Sequence, residues 1–349
     1  MAGLNETPSA NRVHIAFFGL RNAGKSTLVN EFTGQQIAIV SDVAGTTTDP
    51  VSKAMEILPL GPCLITDTAG LDDEGELGAM RVRKTLEVLS TTDIAVWVGE
   101  GLERWREHFK VPLIEYHRGD SVAELKRKLA AIDLGERMPG LLEGLVKAGD
   151  RVLCVVPIDE SAPKGRLILP QQQVIRECLD IGAVCTVCQP AQAPTEDFAL
   201  VITDSQAFAA VKGRYPRLTS FSILLARQKG DIAAYLRGLE AIDRLQDGDL
   251  VLVAEGCTHH RQCNDIGTVK IPRALERLSG RKLRFEFASG GSFAPPPGTK
   301  LVVHCGACMQ TRREMQRRIA VARAAGVPIV NYGMLLAKAA GVEVEKCVR

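Results

Sequence analysis

Short apolar runs alternate with amphipathic stretches along most of the chain. Residues 13–19 (VHIAFFG) form a near-continuous apolar run closed by glycine, and residues 24–34 (GKSTLVNEFTG) then repeat apolar positions at helical spacing. This order predicts strand, glycine loop, helix. Runs at 63–67 (CLITD), 94–99 (IAVWVG) and 111–116 (VPLIEY) predict further strands, with helices over 76–90 and 123–132. Strands and helices alternating at these lengths predict an α/β fold, with a parallel sheet covered by helices on both faces. The segment ERMPG, residues 136–140, reads as a linker. Beyond it, strands are expected at 151–159, 183–189 and 199–205, with helices over 169–182, 206–213 and one long helical stretch over 220–245. A last unit reads as strand 247–256, helix 271–280, strands 282–288 and 300–304, a basic helix 311–326 and strand 327–333. The expected division is a flexible N-terminus over 1–11 and three α/β domains, 12–135, 141–244 and 245–349. No fixed-period repeat appears.

Composition adds constraints. The chain has 349 residues, 46% of them hydrophobic and 24% charged, as expected of packed globular domains. A formal net charge of +2 is too small to argue for a nucleic-acid or acidic-membrane surface. The N-terminus lacks the basic and apolar regions of a secretory signal, and no apolar run approaches the roughly 18–20 residues that span a bilayer. A cytoplasmic location is expected, with no membrane and no nucleic-acid partner. There thiols stay reduced, so the ten cysteines are core residues or metal ligands and not a disulfide framework.

Gly19-Leu-Arg-Asn22-Ala23-Gly24-Lys25-Ser26-Thr27 fits G-x-x-x-x-G-K-[ST] between a predicted strand and helix. A chance glycine-rich turn would not require that context. Backbone N–H groups of such a loop cradle phosphates, Lys25 reaches the terminal phosphates, and the Ser26 hydroxyl serves Mg²⁺. Asp67-Thr-Ala-Gly70 follows a strand; Asp67 is suited to holding Mg²⁺ through water, and the Gly70 backbone to sensing a γ-phosphate. Between them lies a Gly/Thr loop, residues 42–49, with Thr46 and Thr47. The ordered trio indicates a GTPase binding GTP/GDP with Mg²⁺.

This combination resembles the tRNA-modification/Era-like branch of GTPases. The resemblance implies that Thr47 completes the magnesium shell and that Asn22 binds K⁺. Leu71 stands where Ras-like enzymes place a water-orienting glutamine, so slow, K⁺-stimulated hydrolysis is expected. The guanine-reading N-K-x-D motif is absent. His117-Arg118-Gly119-Asp120 keeps only its aspartate. Alternatively, residues 111–129 align with the family's last strand, base-contacting loop and following helix, the N-K-x-D segment being deleted. Asp120 as base reader and Asp120 as a solvated loop residue both stand.

Cys257-Thr-His259 follows one predicted strand and His304-Cys305-Gly-Ala-Cys308 another. Strand ends in a β/α unit face one side, so the two loops can converge. On chemistry alone, a Cys₃His zinc site and a three-cysteine iron–sulfur cluster with one open iron are equally served. Reduced core cysteines are the third reading. The C-x-H…H-C-x-x-C pattern, with AEGCTHH, DIGTVKIPRAL, AGVPIVNYG, VVPIDESAPKGRLILPQQQVI and LTSFSILLARQKGD around it, resembles the [FeFe]-hydrogenase maturation GTPases, the HydF family. The resemblance implies GTPase, dimerisation and cluster-binding domains in that order. It implies a [4Fe–4S] cluster on Cys257, Cys305 and Cys308, with His259 and His304 as fourth ligands or as hydrogen-bond donors behind it. It also implies a homodimeric scaffold or carrier that receives a transient diiron precursor made with two radical-SAM maturases and delivers it to apo-[FeFe]-hydrogenase. The competing readings are a zinc-binding tRNA-modification or ribosome-associated GTPase, and a cluster scaffold with a decayed nucleotide site.

Other cysteines read as structural. Cys185 and Cys188 are three apart in a strand and should face opposite sides. Cys63, Cys154 and Cys178 read as core, and Cys263 as a spare ligand. The arginines at 312, 313, 317, 318 and 323 read as a solvated helix face or, alternatively, as a docking patch.

Overall fold

A computed structural model describes residues 11–34, 50–73, 75–134, 138–158, 165, 167–256, 265–290 and 293–348. The chain separates into two compact units, Met1–Arg137 and Met138–Arg349.

The first unit runs β1 (Val13–Phe18), α1 (Lys25–Thr33), β2 (Val51–Ile57), β3 (Gly61–Asp67), α2 (Gly75–Thr91), β4 (Ile94–Val98), β5 (Leu113–Tyr116) and α3 (Val122–Ala130). The sheet order is β2-β3-β1-β4-β5. All neighbours are parallel except β2, which runs antiparallel to β3. Strand β4 is buried along its whole length, because helices cover both of its faces. On one face Leu28, Val29 and Phe32 of α1 and Leu125 and Leu129 of α3 pack on Ile15, Phe17 and Val96. On the other face Leu89 of α2 packs with Phe18, Trp97 and Leu102. Strand β2 was not among the expected elements. Only Ile57 of it is buried, and the remaining positions alternate half-buried and exposed, the signature of an edge strand with one wet face. Between β4 and β5 lie only two single helical turns, Leu102–Arg104 and Arg106–His108. The Lys126 ammonium of α3 sits 5.1 Å over the Phe32 ring of α1. Residues 111–130 therefore act as the last strand and last helix of the unit, the arrangement the second alignment expects.

The second unit runs β6 (Arg151–Val155), α4 (Leu169–Ile181), β7 (Val184–Cys188), β8 (Leu200–Thr203), α5 (Phe208–Val211), β9 (Leu218–Ser220), α6 (Phe221–Lys229), α7 (Ile232–Ala241), β10 (Leu250–Glu255), α8 (Ile271–Ser279), β11 (Arg284–Ser289), β12 (Thr299–His304), α9 (Arg312–Ala324), β13 (Ile329–Asn331), α10 (Tyr332–Ala339) and α11 (Val344–Cys347). It holds two parallel sheets, β7-β6-β8-β9 and β11-β10-β12-β13. One hydrophobic core joins them: Leu153, Val155 and Val201 from the first sheet and Val251, Val253, Leu301 and Val303 from the second. The expected domains 141–244 and 245–349 both fall within this unit.

The long helix expected over 220–245 is two helices. A Cβ at Gly230 would lie 2.4 Å from the Tyr235 ring, so the chain needs glycine there. Asp231 then caps α7 by accepting from the Ala234 N–H at 2.9 Å. The expected helix over 206–213 shrinks to a single turn and the four-residue α5. Cys63, Cys154, Cys178 and Cys347 are buried and unbridged. Cys185 packs toward Cys154, its sulfur 3.7 Å away, while Cys188 belongs to the core on the opposite face of the sheet. Among the described residues no helix is long and apolar enough to cross a membrane.

Candidate functional site

The phosphate loop joins β1 to α1. Gly19 has φ 155°, and a Cβ there would lie 2.5 Å from the Val98 carbonyl oxygen, so the loop can leave the sheet only through glycine. Asn22 holds φ 62°, a left-handed conformation that asparagine tolerates better than most residues. Lys25 is buried, and its ammonium folds over the loop, donating to Leu20 O at 2.7 Å and Gly19 O at 3.3 Å. Burial pulls its pKa down, and Asp67, Asp72 and Asp73 oppose the shift. Ser26 Oγ donates to Asp67 Oδ2 at 2.6 Å, tying the start of α1 to the end of β3. Asp67 is fully buried, which raises its pKa against the Ser26 hydrogen bond and the Lys25 charge. Its Oδ1 has no hydrogen-bond partner among the described residues. A hydroxyl, a carboxylate and an unused carboxylate oxygen side by side fit the needs of a hydrated Mg²⁺.

Gly70 presses on the same loop: a Cβ there would lie 2.8 Å from Arg21 N. Leu71 N–H donates to Gly19 O at 3.2 Å, and Arg21 N–H donates to the Asp72 carboxylate. The structure thus gathers Gly19, Asn22, Ala23, Gly24, Lys25, Ser26, Asp67 and Gly70 around one loop, with Thr27 on the exposed side of α1. Leu71 is buried in the core and offers no polar group to a water. Thr46 and Thr47 lie outside the described residues. Asp120 sits in the turn after β5, where its Oδ2 accepts from His117 N–H at 2.8 Å and its carbonyl accepts from Tyr116 OH at 2.8 Å. Base contact through Asp120 would have to use Oδ1.

In the second unit, β10 and β12 are adjacent and in register, Ala254 opposite His304. The two cysteine loops therefore leave the sheet side by side. Gly256, the last described residue before Cys257, donates its N–H to Cys305 Sγ at 3.2 Å, and Ala307 N–H donates to the same sulfur at 3.4 Å. Two backbone amides thus point at one sulfur. Ala307 holds φ 55°, which turns the chain between the two cysteines. Burial pushes the Cys308 thiol up, and Lys229 opposes this. Cys257, His259, His260 and Cys263 lie outside the described residues. Among the described residues no group of three His, Cys, Asp or Glu side chains is gathered to hold a metal.

His304 is fully buried with both ring nitrogens engaged. Nδ1 lies 2.9 Å from Cys305 O, and Nε2 lies 3.1 Å from Arg318 Nη1. A guanidinium only donates and a carbonyl only accepts, so the tautomer these partners impose is Nδ1–H with Nε2 as acceptor. Burial holds the ring pKa down at about 4, so the imidazole is neutral. Arg318, equally buried, donates to Glu314 Oε1 at 2.6 Å and to the carbonyls of Glu255 and Gly290, and its guanidinium lies 5.3 Å from the Phe293 ring. Burial alone would raise the Glu314 carboxyl, but hydrogen bonds from Arg317 and Arg318 outweigh it and hold the group low. Arg318 is therefore neither a solvated helix-face residue nor part of a docking patch. It is the inward pillar behind the cysteine loop. Arg323 pairs with Asp231 at 3.0 Å.

Family comparisons divide the chain in three. Residues 14–128 match a model described as a 50S ribosome-binding GTPase. Residues 141–230 match the Hydrogen maturase F dimerization domain, and residues 233–349 match the Hydrogen maturase F tetramerization domain. The chain belongs to the hydrogen maturase F family. Among curated relatives, the tRNA modification GTPase MnmE of Zymomonas mobilis subsp. mobilis is 30% identical over 176 residues, 48% of this chain and 38% of that protein. The GTPase Der of Wolinella succinogenes is 41% identical over 98 residues, 27% of this chain and 20% of that protein. The chain spans less than half the length of either relative.

Within the hydrogen maturase F family, two features of this chain stand out against the sequence reading. The segment expected to bind a cluster is matched by a model described by its assembly, tetramerization, which adds a quaternary role beyond the expected homodimer. Two buried cations beside the cysteine loop, Lys229 and Arg318, were not among the expected site residues. Both sit in helices whose local sequence, LLARQKGD and RREMQRRI, gives no sign that a charge turns inward.

Proposed function

We propose that the chain is a GTP-binding and GTP-hydrolysing scaffold of [FeFe]-hydrogenase maturation that carries a [4Fe–4S] cluster on Cys257, Cys305 and Cys308. The observation that carries this is the pairing of β10 with β12. It starts both cysteine loops from adjacent strand ends and brings the amide before Cys257 onto the Cys305 sulfur. The residues fit the group: a sulfur with two amide donors, a buried cation beside the loop, and a neutral histidine behind it. A bound cluster supplies an open iron to which an exchangeable ligand of a diiron precursor can attach. That precursor is cargo, made with radical-SAM maturases and passed to apo-[FeFe]-hydrogenase. The cytoplasm is the proposed compartment. Because both nitrogens of His304 are engaged, its role in this reading is to support the Cys305 loop through the Cys305 carbonyl. His259 keeps both of its readings, an exchangeable fourth ligand or a hydrogen-bond donor behind the cluster.

Anaerobically purified protein is expected to contain iron and sulfide in equal amounts and to show a [4Fe–4S] signal in electron paramagnetic resonance after reduction. Cys305→Ser should lose most of that signal. Colourless protein containing zinc would replace this reading with that of a zinc-binding GTPase.

For the nucleotide, Lys25 and the loop amides hold phosphates, Ser26 and Asp67 hold Mg²⁺, Thr47 completes its shell, and Asn22 positions K⁺. With Leu71 buried, no side chain at that position orients water, so turnover is slow. Replacing Na⁺ by K⁺ is expected to raise phosphate release by about tenfold or more, a small share of what an arginine finger supplies. Equal rates in the two salts would remove Asn22 from the mechanism.

A further inference from the structure

Lys229 is the last residue of α6 and is completely buried. Its ammonium donates to three backbone carbonyls of the cysteine loop: Ala307 O at 3.1 Å, Cys308 O at 3.3 Å and Gln310 O at 2.9 Å. Three acceptors satisfy its three N–H groups. Its own backbone is fixed as well, since Gln316 Nε2 donates to Lys229 O and Gly230 O, both at 2.9 Å. Among the described residues no carboxylate lies within ion-pair distance of it. Carbonyl dipoles solvate a buried cation without neutralising it, and an uncompensated buried charge is costly. Burial pulls the Lys229 pKa down to about 8, and Cys308 and Cys305 oppose the shift.

We propose that Lys229 is the resident counter-cation of the cysteine loop: it shapes residues 307–310, and its charge offsets the negative charge of the Cys305 and Cys308 thiolates and of the cluster they bind. It is a positioning residue and ligates nothing. The proposal rests on the cluster reading above and adds to it an electrostatic partner contributed by the segment that matches the dimerization domain.

The test compares wild type with Lys229→Met and Lys229→Arg after anaerobic reconstitution with iron and sulfide. The readouts are iron and sulfide content, the cluster reduction potential followed by electron paramagnetic resonance, and thermal melting of the metal-free chains. Lys229→Met is expected to shift the potential to more negative values, because a nearby positive charge no longer favours the electron-rich state. It should lower cluster loading, and the metal-free chain should melt below wild type, because the carbonyls of Ala307, Cys308 and Gln310 lose their donor. Lys229→Arg, which keeps the charge, should keep a potential close to wild type. Should Lys229→Met not fold, Lys229→Gln removes the charge while keeping a donor and carries the same expectation. A charge-free variant with wild-type potential overturns the proposal, as does an equal shift in Lys229→Arg. Wild-type protein that takes up no cluster overturns the cluster reading itself, a distinguishable result.

Discussion

Lys25→Ala is expected to lower GTP turnover by about 10²–10³-fold, the usual cost of removing one preorganised donor aimed at developing charge. The ammonium is buried and already folded over the loop mouth, 2.7 Å from Leu20 O, so it meets incoming phosphate without searching for its geometry. Asp67 makes the loss sharper. Its carboxylate is buried beside Lys25, and the lysine charge helps keep it ionised for Mg²⁺. Taking the lysine away weakens phosphate contact and metal site together. Phosphate release at saturating GTP measures the effect, with the melting temperature as control. Iron and sulfide content should be unchanged, since Lys25 belongs to the first unit and the cysteines to the second. Turnover within threefold of wild type would mean that the loop binds nucleotide without catalysing its hydrolysis, the reading of a decayed site.

Arg318→Met should destabilise the second unit by about 3–5 kcal/mol, the range for breaking a buried ion pair from one side. At roughly 2–4 °C per kcal/mol for a unit of this size, the melting temperature falls by roughly 6–20 °C. The reason lies in what Arg318 serves at once: the Glu314 carboxylate, Nε2 of His304, and the carbonyls of Glu255 and Gly290. Methionine fills the space and satisfies none of them. Glu314→Gln in the same chain should cost less than its effect alone, because the two groups act on each other. Thermal unfolding followed by circular dichroism checks both. A loss below about 1 kcal/mol would show that the network is not what holds the loop.

The nucleotide loop was legible because its chemistry is local. A strand, six loop residues and a helix start lie within fourteen positions of sequence, and the glycine at 19 is demanded by a neighbouring carbonyl that any such sheet would supply. The alternation of β and α was legible for the same reason. What sequence did not yield depends on packing between distant elements. Strand β2 has the composition of a solvated segment and becomes a strand only because β3 offers an edge. Arg318 and Lys229 carry charge inward because a histidine, a carboxylate and a row of carbonyls wait there, from segments up to 81 residues away for Lys229. The break between α6 and α7 was written locally as Lys-Gly-Asp, a stop followed by a cap, but the apolar run on either side masked it. The engagement of His304 on both nitrogens needed the three-dimensional partner set, since Arg318 is one of several arginines on its helix.

The junction at Gly230 and Asp231 falls where one family model ends, at 230, and before the next begins, at 233. Such boundaries usually behave as joints, but this one is welded. The residue before the break is anchored by its side chain into the sulfur loop and by its backbone to α9, while the residue after it caps α7 and pairs with Arg323. The last turn of α6, the loop 307–310 and the start of α7 are thus tied to one another by side chains on both sides of the break.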